Sequence, residues 1–265
     1  MNHSDADNHP GPDNHLDLDN HRDADIEIRT LSSAEEMLEV GAVFQQVWGS
    51  ATAVVPLEML MAISHAEGYV SAAYDTGRSS GDGDSILGAS VGILARHEGR
   101  PALHSHVTGL LAGVRHSGLG RAMKLHQRQW ALDHGLDRIV WTFDPLVRRN
   151  AWFNIAVLGA DVHEYLPSFY GEMTDAINAG DESDRLLMAW DVHADLPPEP
   201  RDGHDLEGGL LIPTPDDIVA LRRTDPAAVA EWRSETRDAL VSALDAGRPV
   251  VGFTRHGQYV VGDPR

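Results

Sequence analysis

With 265 residues, the chain is long enough for one large domain or for one domain with an appendage, and its hydrophobic fraction of 42% is ordinary for a folded protein. It contains no cysteine, which excludes disulfides, thiolate metal sites and cysteine nucleophiles. Its formal net charge of −20 argues against a nucleic-acid binder, because phosphate backbones are bound by Lys and Arg, and is compatible with a cationic small substrate.

The first 24 residues form a repeat. An Asn-His pair recurs every six residues, and each unit ends in Asp. The segment has almost no apolar side chains, so it cannot offset the entropy lost on ordering. We predict a disordered, solubilising tail; weak binding of Zn²⁺ or Ni²⁺ by its His and Asp side chains is the alternative.

From about residue 25 to 195, the chain alternates the hydrophobic periods of strands and helices. Ser33 followed by Glu36 is a capping box, and apolar residues at helical spacing follow it. The pattern predicts the order βααβββαβαββ. The predicted strands lie near 26–28, 69–74, 86–95, 102–111, 139–143, 161–165 and 186–192, and the helices begin after Ser33, at Pro56, at Leu119 and at Asn150. A parallel crossover inside a mainly antiparallel sheet gives an α+β fold flanked by helices.

A Pro-rich, charged linker at 196–208 separates this domain from a C-terminal extension, residues 209–265. Two helices are predicted at 215–222 and 226–246, and two strands at 250–254 and 259–261. The extension is too small to build much core alone. We therefore expect this α/β appendage to pack on the main domain or on a second subunit.

The strongest local motif is a loop that follows a strand and opens a helix. It reads Arg115-His116-Ser117-Gly118-Leu119-Gly120-Arg121. The N-terminus of a helix offers unpaired N–H groups and a positive dipole end, which together bind pyrophosphate. Gly118 and Gly120 let a ligand approach the backbone closely, and the two arginines add charge. A plain strand-to-helix turn is the alternative.

This motif, with its strand before and its helix, strand and helix after, resembles the acetyl-CoA-binding core of the GNAT N-acetyltransferases over residues 25–195. The stretch 141–151 is also similar to a bacterial subgroup of predicted acetyltransferases. The resemblance implies a GNAT fold, an acyl-CoA co-substrate, most simply acetyl-CoA, and no required metal. It also implies that Leu110 and Leu111 pair with the pantetheine arm, and that Asn150 contacts it.

His104 and His106 are the candidate general bases. Two residues apart on one strand, they share a face, and the ordinary pKa of histidine suits removal of a proton from an amine. The His-x-His pair is similar to that of the arylalkylamine N-acetyltransferases, which implies that His106 acts through water with His104 beside it. Two packed or solvent-facing histidines, in a chain with 15, are the alternative.

The general acid is less evident. The family often has a tyrosine at the position of Ile155, so Tyr170 is the substitute candidate; a packed aromatic is the alternative. Asp144 ends a strand beside the expected cleft, where it can bind a cationic group of the substrate or serve as a turn residue before Pro145. Asn154 is a second candidate substrate ligand.

Three functions are compatible with these residues. The first is an acyl-CoA-dependent N-acyltransferase that acts on a small amine by direct transfer. The second is an acyl-CoA-binding regulatory module without transfer activity, and the third is O-acylation or decarboxylation on the same fold, because fold does not fix chemistry. No apolar run approaches the ~20 residues of a membrane span, and the first residues are acidic and polar, unlike a signal peptide. We therefore expect a cytoplasmic protein without a membrane partner and, given its negative charge, without a nucleic-acid partner. A homodimer is compatible with the sequence.

Overall fold

The computed structural model describes residues 26–50, 52–77, 85–114, 118–171, 181–206 and 209–263. The predicted tail, residues 1–24, and three residues of the predicted pyrophosphate loop, 115–117, lie outside the described residues.

Seven strands form the main sheet, in the order β1-β2-β3-β4-β5-β7-β6. Their bounds are Ile26–Thr30 (β1), Tyr69–Asp75 (β2), Ser85–His97 (β3), Arg100–Leu110 (β4), Arg138–Phe143 (β5), Asp161–Leu166 (β6) and Arg185–Asp191 (β7). Neighbouring strands are antiparallel except β4 and β5, which pair in parallel. The predicted mixed, mainly antiparallel sheet is therefore confirmed.

Helices cover both faces of this sheet. On one face, α1 (Ala34–Trp48) and α2 (Leu57–His65) pack on alternate residues of β2 and β3. On the opposite face lie α3 (Leu119–Asp133) and α4 (Arg148–Ala151), which continues as a π-helical segment, Trp152–Val157. We call these the α1/α2 face and the α3/α4 face. None of the helices in the described part of the chain is long and apolar enough to cross a membrane.

Local sequence explains where several helices begin and end. The predicted capping box of α1 is present: the Ser33 hydroxyl accepts from the backbone N–H of Glu36, and the Glu36 carboxylate accepts from the backbone N–H of Ser33. α1 ends at Gly49, whose φ of 58° is left-handed. The predicted regular helix at 150–158 is wrong in detail, because only the turn 148–151 is α-helical and the rest is π-helical.

The C-terminal extension adds a second, three-stranded sheet in the order β8-β10-β9. Its elements are β8 (Leu210–Pro213), α5 (Ile218–Thr224), α6 (Pro226–Asp245), β9 (Val250–Phe253) and β10 (Gln258–Val261). Strand β8 was not predicted. Apolar side chains of α6, β9 and β10 join the same core cluster as β5, β7 and α4, and the Tyr259 hydroxyl donates to the Pro145 carbonyl at 2.7 Å. The extension therefore packs on the main domain.

Candidate functional site

A cleft opens where β4 and β5 separate. The two strands pair over three residues each, 102–104 with 138–140. Beyond this pairing, β4 continues to Leu110 and β5 to Phe143. Parallel strands that cease to pair leave backbone N–H and C=O groups facing a gap. We call this gap the β4–β5 cleft; its vertex lies at His104 and Val140, and its wide end lies at Leu110.

The two candidate histidines lie at the vertex. His104 alternates along β4 with Leu103, which packs on the α3/α4 face, so the His104 side chain lies on the α1/α2 face. The register of β4 against β3 shifts at this point, which makes His106 the extra residue of a β-bulge. The two imidazole rings remain neighbours, with centroids 6.2 Å apart. The structure therefore brings together the pair that the sequence indicated.

Both histidines are held toward the neutral state. Burial lowers the pKa of the half-buried His104, and the nearby positive charges of His106 and Lys124 lower it further. His106 is exposed, yet the protein atoms around its ring lower its pKa through partial loss of hydration. A neutral imidazole can accept a proton, so either ring is in the state that a general base needs near neutral pH.

Helix α3 begins at the wide end of the cleft. Its N-cap residue is Gly118, whose φ of 86° favours glycine and which offers no side-chain oxygen to the first N–H groups. A Cβ built on Gly120 would approach only the Leu110 side chain, at 3.5 Å. The first turn holds Arg121 and no acidic residue. The positive end of a 15-residue helix is thus placed where an anionic group could enter the cleft.

A lysine closes the vertex of the cleft from the α3/α4 face. The ammonium of Lys124 donates to Ser105 Oγ at 2.8 Å and to Gln127 Oε1 at 3.0 Å. It also lies 4.3 Å from the centroid of the Trp141 ring. Ser105 and Trp141 are the first residues of β4 and β5 beyond their pairing. Lys124 is buried, and burial lowers its pKa to about 7.

The groups around this ammonium form a buried polar chain under β3 and β4. Gln127 Nε2 donates to Ser90 Oγ at 3.4 Å, and the hydroxyls of Ser90 and Thr108 are 2.8 Å apart. Each of these side chains is uncharged. Among its described contacts, Lys124 thus has hydrogen-bond acceptors and an aromatic ring but no carboxylate.

Tyr170, the predicted acid, lies at the start of the β6–β7 connection. Its hydroxyl is 3.2 Å from Thr142 Oγ1 on β5. Its backbone N–H donates to Ser183 Oγ at 2.9 Å, and its ring lies 5.2 Å from the guanidinium carbon of Arg185. Tyr170 remains 44% exposed. Its hydroxyl is therefore fixed beside β5, one residue from Trp141, while the ring stays open to solvent.

Asp144 does not face the cleft. It is 6% exposed, and its two carboxylate oxygens accept from Arg233 at 2.7 and 3.1 Å. Arg222 also donates to it. Burial alone would raise the pKa of Asp144, but the two guanidinium groups outweigh burial and lower it. This geometry assigns Asp144 to the attachment of the C-terminal extension and gives no support to its predicted contact with a substrate.

The remaining predicted residues occupy three different settings. Asn154 is buried in the π-helical segment, and Ile155, at the position of the missing tyrosine, is 9% exposed and packs in the core. Asn150 is exposed on α4. Leu110 and Leu111 are half-buried at the wide end of the cleft, and their predicted contact with a pantetheine arm stays a prediction.

The sequence interpretation missed Lys124, although one signal for it was available. The chain has 21 Lys and Arg residues, and Lys124 is the one lysine among them. Arginine is therefore used at every other cationic position, whether buried or exposed. Among the described residues, moreover, no group of three or more His, Asp or Glu side chains could hold a metal ion.

Comparisons with known proteins address the fold. No protein-family model matches the chain, and no curated protein matches it. A candidate acetyltransferase, yncA, from Salmonella typhimurium, solved with its cofactor acetyl-CoA, is 14% identical, with a TM-score of 0.50; the match covers 66% of this chain and 98% of that one.

Two further solved structures are similar. A ribosomal-protein-S5-alanine acetyltransferase from Vibrio fischeri is 16% identical, with a TM-score of 0.49, over 66% of this chain and 96% of that one. A GNAT-family acetyltransferase from Streptococcus pneumoniae is 14% identical, with a TM-score of 0.45, over 62% and 98%. At these identities the similarity concerns the fold alone. The chain has the α+β fold of the GNAT acetyltransferases, with the C-terminal extension added to it.

Proposed function

We propose that the protein is an acyl-CoA-dependent N-acyltransferase, with acetyl-CoA as donor and a small amine as acceptor. The observation that carries the proposal is the β4–β5 cleft. It joins an open helix N-terminus, suited to a pyrophosphate, to a vertex that holds two histidines with lowered pKa. A donor with an anionic end and a reactive acyl end matches those two ends of one cleft.

In this proposal, the pyrophosphate binds to backbone N–H groups of the loop Arg115–Arg121, and the pantetheine arm runs along Leu110 and Leu111 toward the vertex, with Asn150 beside it. Pairing with an unpaired strand edge is a general way for an extended amide chain to bind. The thioester then lies near His104 and His106. The net charge of −20 favours the approach of a cationic amine.

The histidines supply the base. A protonated amine cannot attack a carbonyl, so His106, with His104 beside it, removes the proton of the amine directly or through water. The nucleophilic nitrogen attacks the thioester carbonyl, and coenzyme A departs. We assign to the carbonyl oxygen the backbone N–H groups of β4 next to His106, just beyond its pairing with β5, because preorganised N–H donors stabilise the negative charge that develops there.

Substitution of Gly120 tests the cofactor site. Gly120→Glu places a carboxylate where the pyrophosphate would bind, and the Cβ would meet only Leu110, so the helix should still form. Gly41→Glu on α1 is a matched control, because a Cβ there meets nothing within 4 Å. We expect calorimetry to detect acetyl-CoA binding by the wild type and by Gly41→Glu, and none by Gly120→Glu. Wild-type affinity in a folded Gly120→Glu protein would remove the proposal.

A screen of amines tests transfer itself. The protein contains no cysteine, so a thiol reagent reports released coenzyme A without background from the protein. Release that depends on an added amine supports acyl transfer. The second candidate, a module that binds acyl-CoA without transferring it, is favoured by the apolar Ile155 at the usual acid position. Tight acetyl-CoA binding with no release across the panel would favour that module.

A further inference from the structure

The single lysine of the chain lies at the point where a bound thioester would react. Lys124 Nζ contacts Ser105 and Trp141, the first residues of β4 and β5 beyond the pairing of these two strands. It therefore spans the vertex of the β4–β5 cleft from the α3/α4 face. His104 occupies the same vertex on the α1/α2 face. A ligand that reaches the vertex comes between an ammonium and an imidazole.

Among the described residues that contact Lys124, none carries a negative charge that could balance the ammonium. A buried ammonium is costly unless an anion or several dipoles compensate for lost hydration. By contrast, the buried guanidiniums of Arg233 and Arg222 are paired, because each binds both Asp144 and Asp181. The ammonium of Lys124 instead contacts two uncharged oxygens, Ser105 Oγ and Gln127 Oε1, and the ring of Trp141. These groups compensate in part for the lost hydration of the ammonium, and an anion that enters the cleft would interact favourably with its charge.

We propose that Lys124 is the general acid of the acyl transfer, and that it gives its proton to the sulfur of departing coenzyme A. This inference rests on the function proposed above. It follows from the position of the ammonium at the vertex and from the absence of any other charge among its described contacts. Tyr170, whose hydroxyl is bound to Thr142 on the neighbouring strand, is the competing donor.

The step balances without another reactant. The amine nitrogen forms a bond to the acyl carbon after His104 or His106 has taken its proton. The tetrahedral intermediate then collapses: the nitrogen gives its second proton to water, the carbon–sulfur bond breaks, and the electron pair of that bond stays on sulfur. Lys124 Nζ transfers one proton to that sulfur, so the products are an amide and the free thiol. Lys124 is left as a neutral amine, which solvent protonates before the next turnover.

The choice of lysine agrees with this function. A guanidinium does not release its proton in a protein, whereas an ammonium can once burial has lowered its pKa. The pKa of Lys124, about 7, lies below the value of roughly 8.5 that is typical of an alkyl thiol such as cysteine. A thiol beside a cation has a pKa closer to that of Lys124, so the proton can pass from nitrogen to the departing thiolate near neutral pH without a large energetic cost.

Two substitutions separate the charge of Lys124 from its proton. Lys124→Arg keeps the charge and cannot donate near neutral pH; Lys124→Met removes both and keeps the length of the side chain. We expect each variant to lower kcat about 100- to 10,000-fold, with the acetyl-CoA dissociation constant, measured by calorimetry, nearly unchanged. Tyr170→Phe removes the competing donor and is measured beside these two variants. A Lys124→Arg protein with wild-type kcat, or a loss found in Tyr170→Phe instead, would overturn the assignment.

A second measurement needs no acceptor. With no cysteine in the protein, the rate at which iodoacetamide alkylates bound coenzyme A, followed against pH, gives the pKa of the bound thiol alone. A neighbouring cation should lower that pKa by about 1–3 pH units in the wild type and in Lys124→Arg, but not in Lys124→Met. An equal thiol pKa in the wild type and Lys124→Met refutes the inference and leaves the proposed function standing. If the wild type binds no acetyl-CoA, the proposed function fails first.

Discussion

Replacement of Arg233 by Met should destabilise the protein strongly. The guanidinium of Arg233 is 2% exposed and donates two hydrogen bonds to Asp144, at 2.7 and 3.1 Å, and two more to the carboxylate of Asp181. Arg222 completes the group. Loss of Arg233 leaves two buried carboxylates against one guanidinium. Removing one partner of a buried pair costs about 3–5 kcal/mol, which for a protein of this size corresponds to a fall in Tm on the order of 10 °C.

Arg255→Met is the matched control for this experiment. Arg255 is 68% exposed and lies 3.5 Å from Asp202, and exposed pairs contribute at most ~1 kcal/mol. Unfolding in urea, followed by circular dichroism at neutral pH, gives the free energy of unfolding of both variants. We expect a loss of about 3–5 kcal/mol for Arg233→Met and less than ~1 kcal/mol for Arg255→Met. Equal losses would show that the buried cluster does not anchor the extension.

The same cluster sets a pH dependence with a definite sign. The pKa of Asp144 in the folded protein is below the value of roughly 3.9 that the unfolded chain has. The stability that Asp144 contributes is therefore fully present above that unfolded value and is lost as the pH falls through the folded pKa. Acid unfolding of Arg233→Met should begin at a higher pH than acid unfolding of the wild type. Of the two guanidinium groups that lower the pKa of Asp144, Arg233 has the larger effect.

Two further outcomes follow from the site. The double variant His104→Ala/His106→Ala should lower turnover about 100- to 10,000-fold, because it lacks both candidate bases. In the wild type, the rate should rise with pH in a step below the ordinary histidine pKa of ~6.5, and this step should be absent from the double variant. Full turnover in the folded double variant contradicts the base assignment. Lys124→Met should have a larger free energy of unfolding than the wild type at neutral pH, because it buries no ammonium. Between about pH 7 and the unfolded lysine pKa of ~10.4, the unfolded wild-type chain binds one proton more than the folded chain, so the stability of the wild type rises with pH. The difference between the two proteins should therefore shrink over that interval. Urea unfolding at several pH values measures this difference, and a gain independent of pH would mean that Lys124 is not buried as a titrating amine.

Local signals in the sequence were enough for most of the main domain. The capping box at Ser33 and Glu36 fixed the start of α1, and the glycines around α3 marked both of its ends. The order of strands and helices then constrained the topology, since one parallel crossover in this order gives a mixed sheet. These features are encoded within a few residues of where they act, which is why periodicity and capping could find them.

The misses have a common physical cause, which is distance along the chain. Asp144 accepts from Arg233, a residue 89 positions later, and no local pattern connects them. Strand β8 is a run of only four residues, which gains its strand character by pairing with β10. Lys124 lies on a helix face that a helical pattern assigns to the core, so only its rarity among 21 cationic residues distinguished it.

Helix α3 connects the two ends of the proposed reaction. Gly120, at the anion-binding end, precedes Lys124 by four residues, which is a rise of about 6 Å along a helix axis. Helix α3, a rigid element, therefore sets the distance between the anion site and Lys124 at the vertex. This distance matters because a 1 Å error in the position of a catalytic group can lower the rate about a hundredfold. The C-terminal extension acts on the other wall of the cleft, because its Arg233 binds Asp144, the residue that follows β5. A variant that loosens the extension should accordingly change kcat through β5 and Trp141 while leaving acetyl-CoA affinity, which depends on α3 and β4, close to that of the wild type.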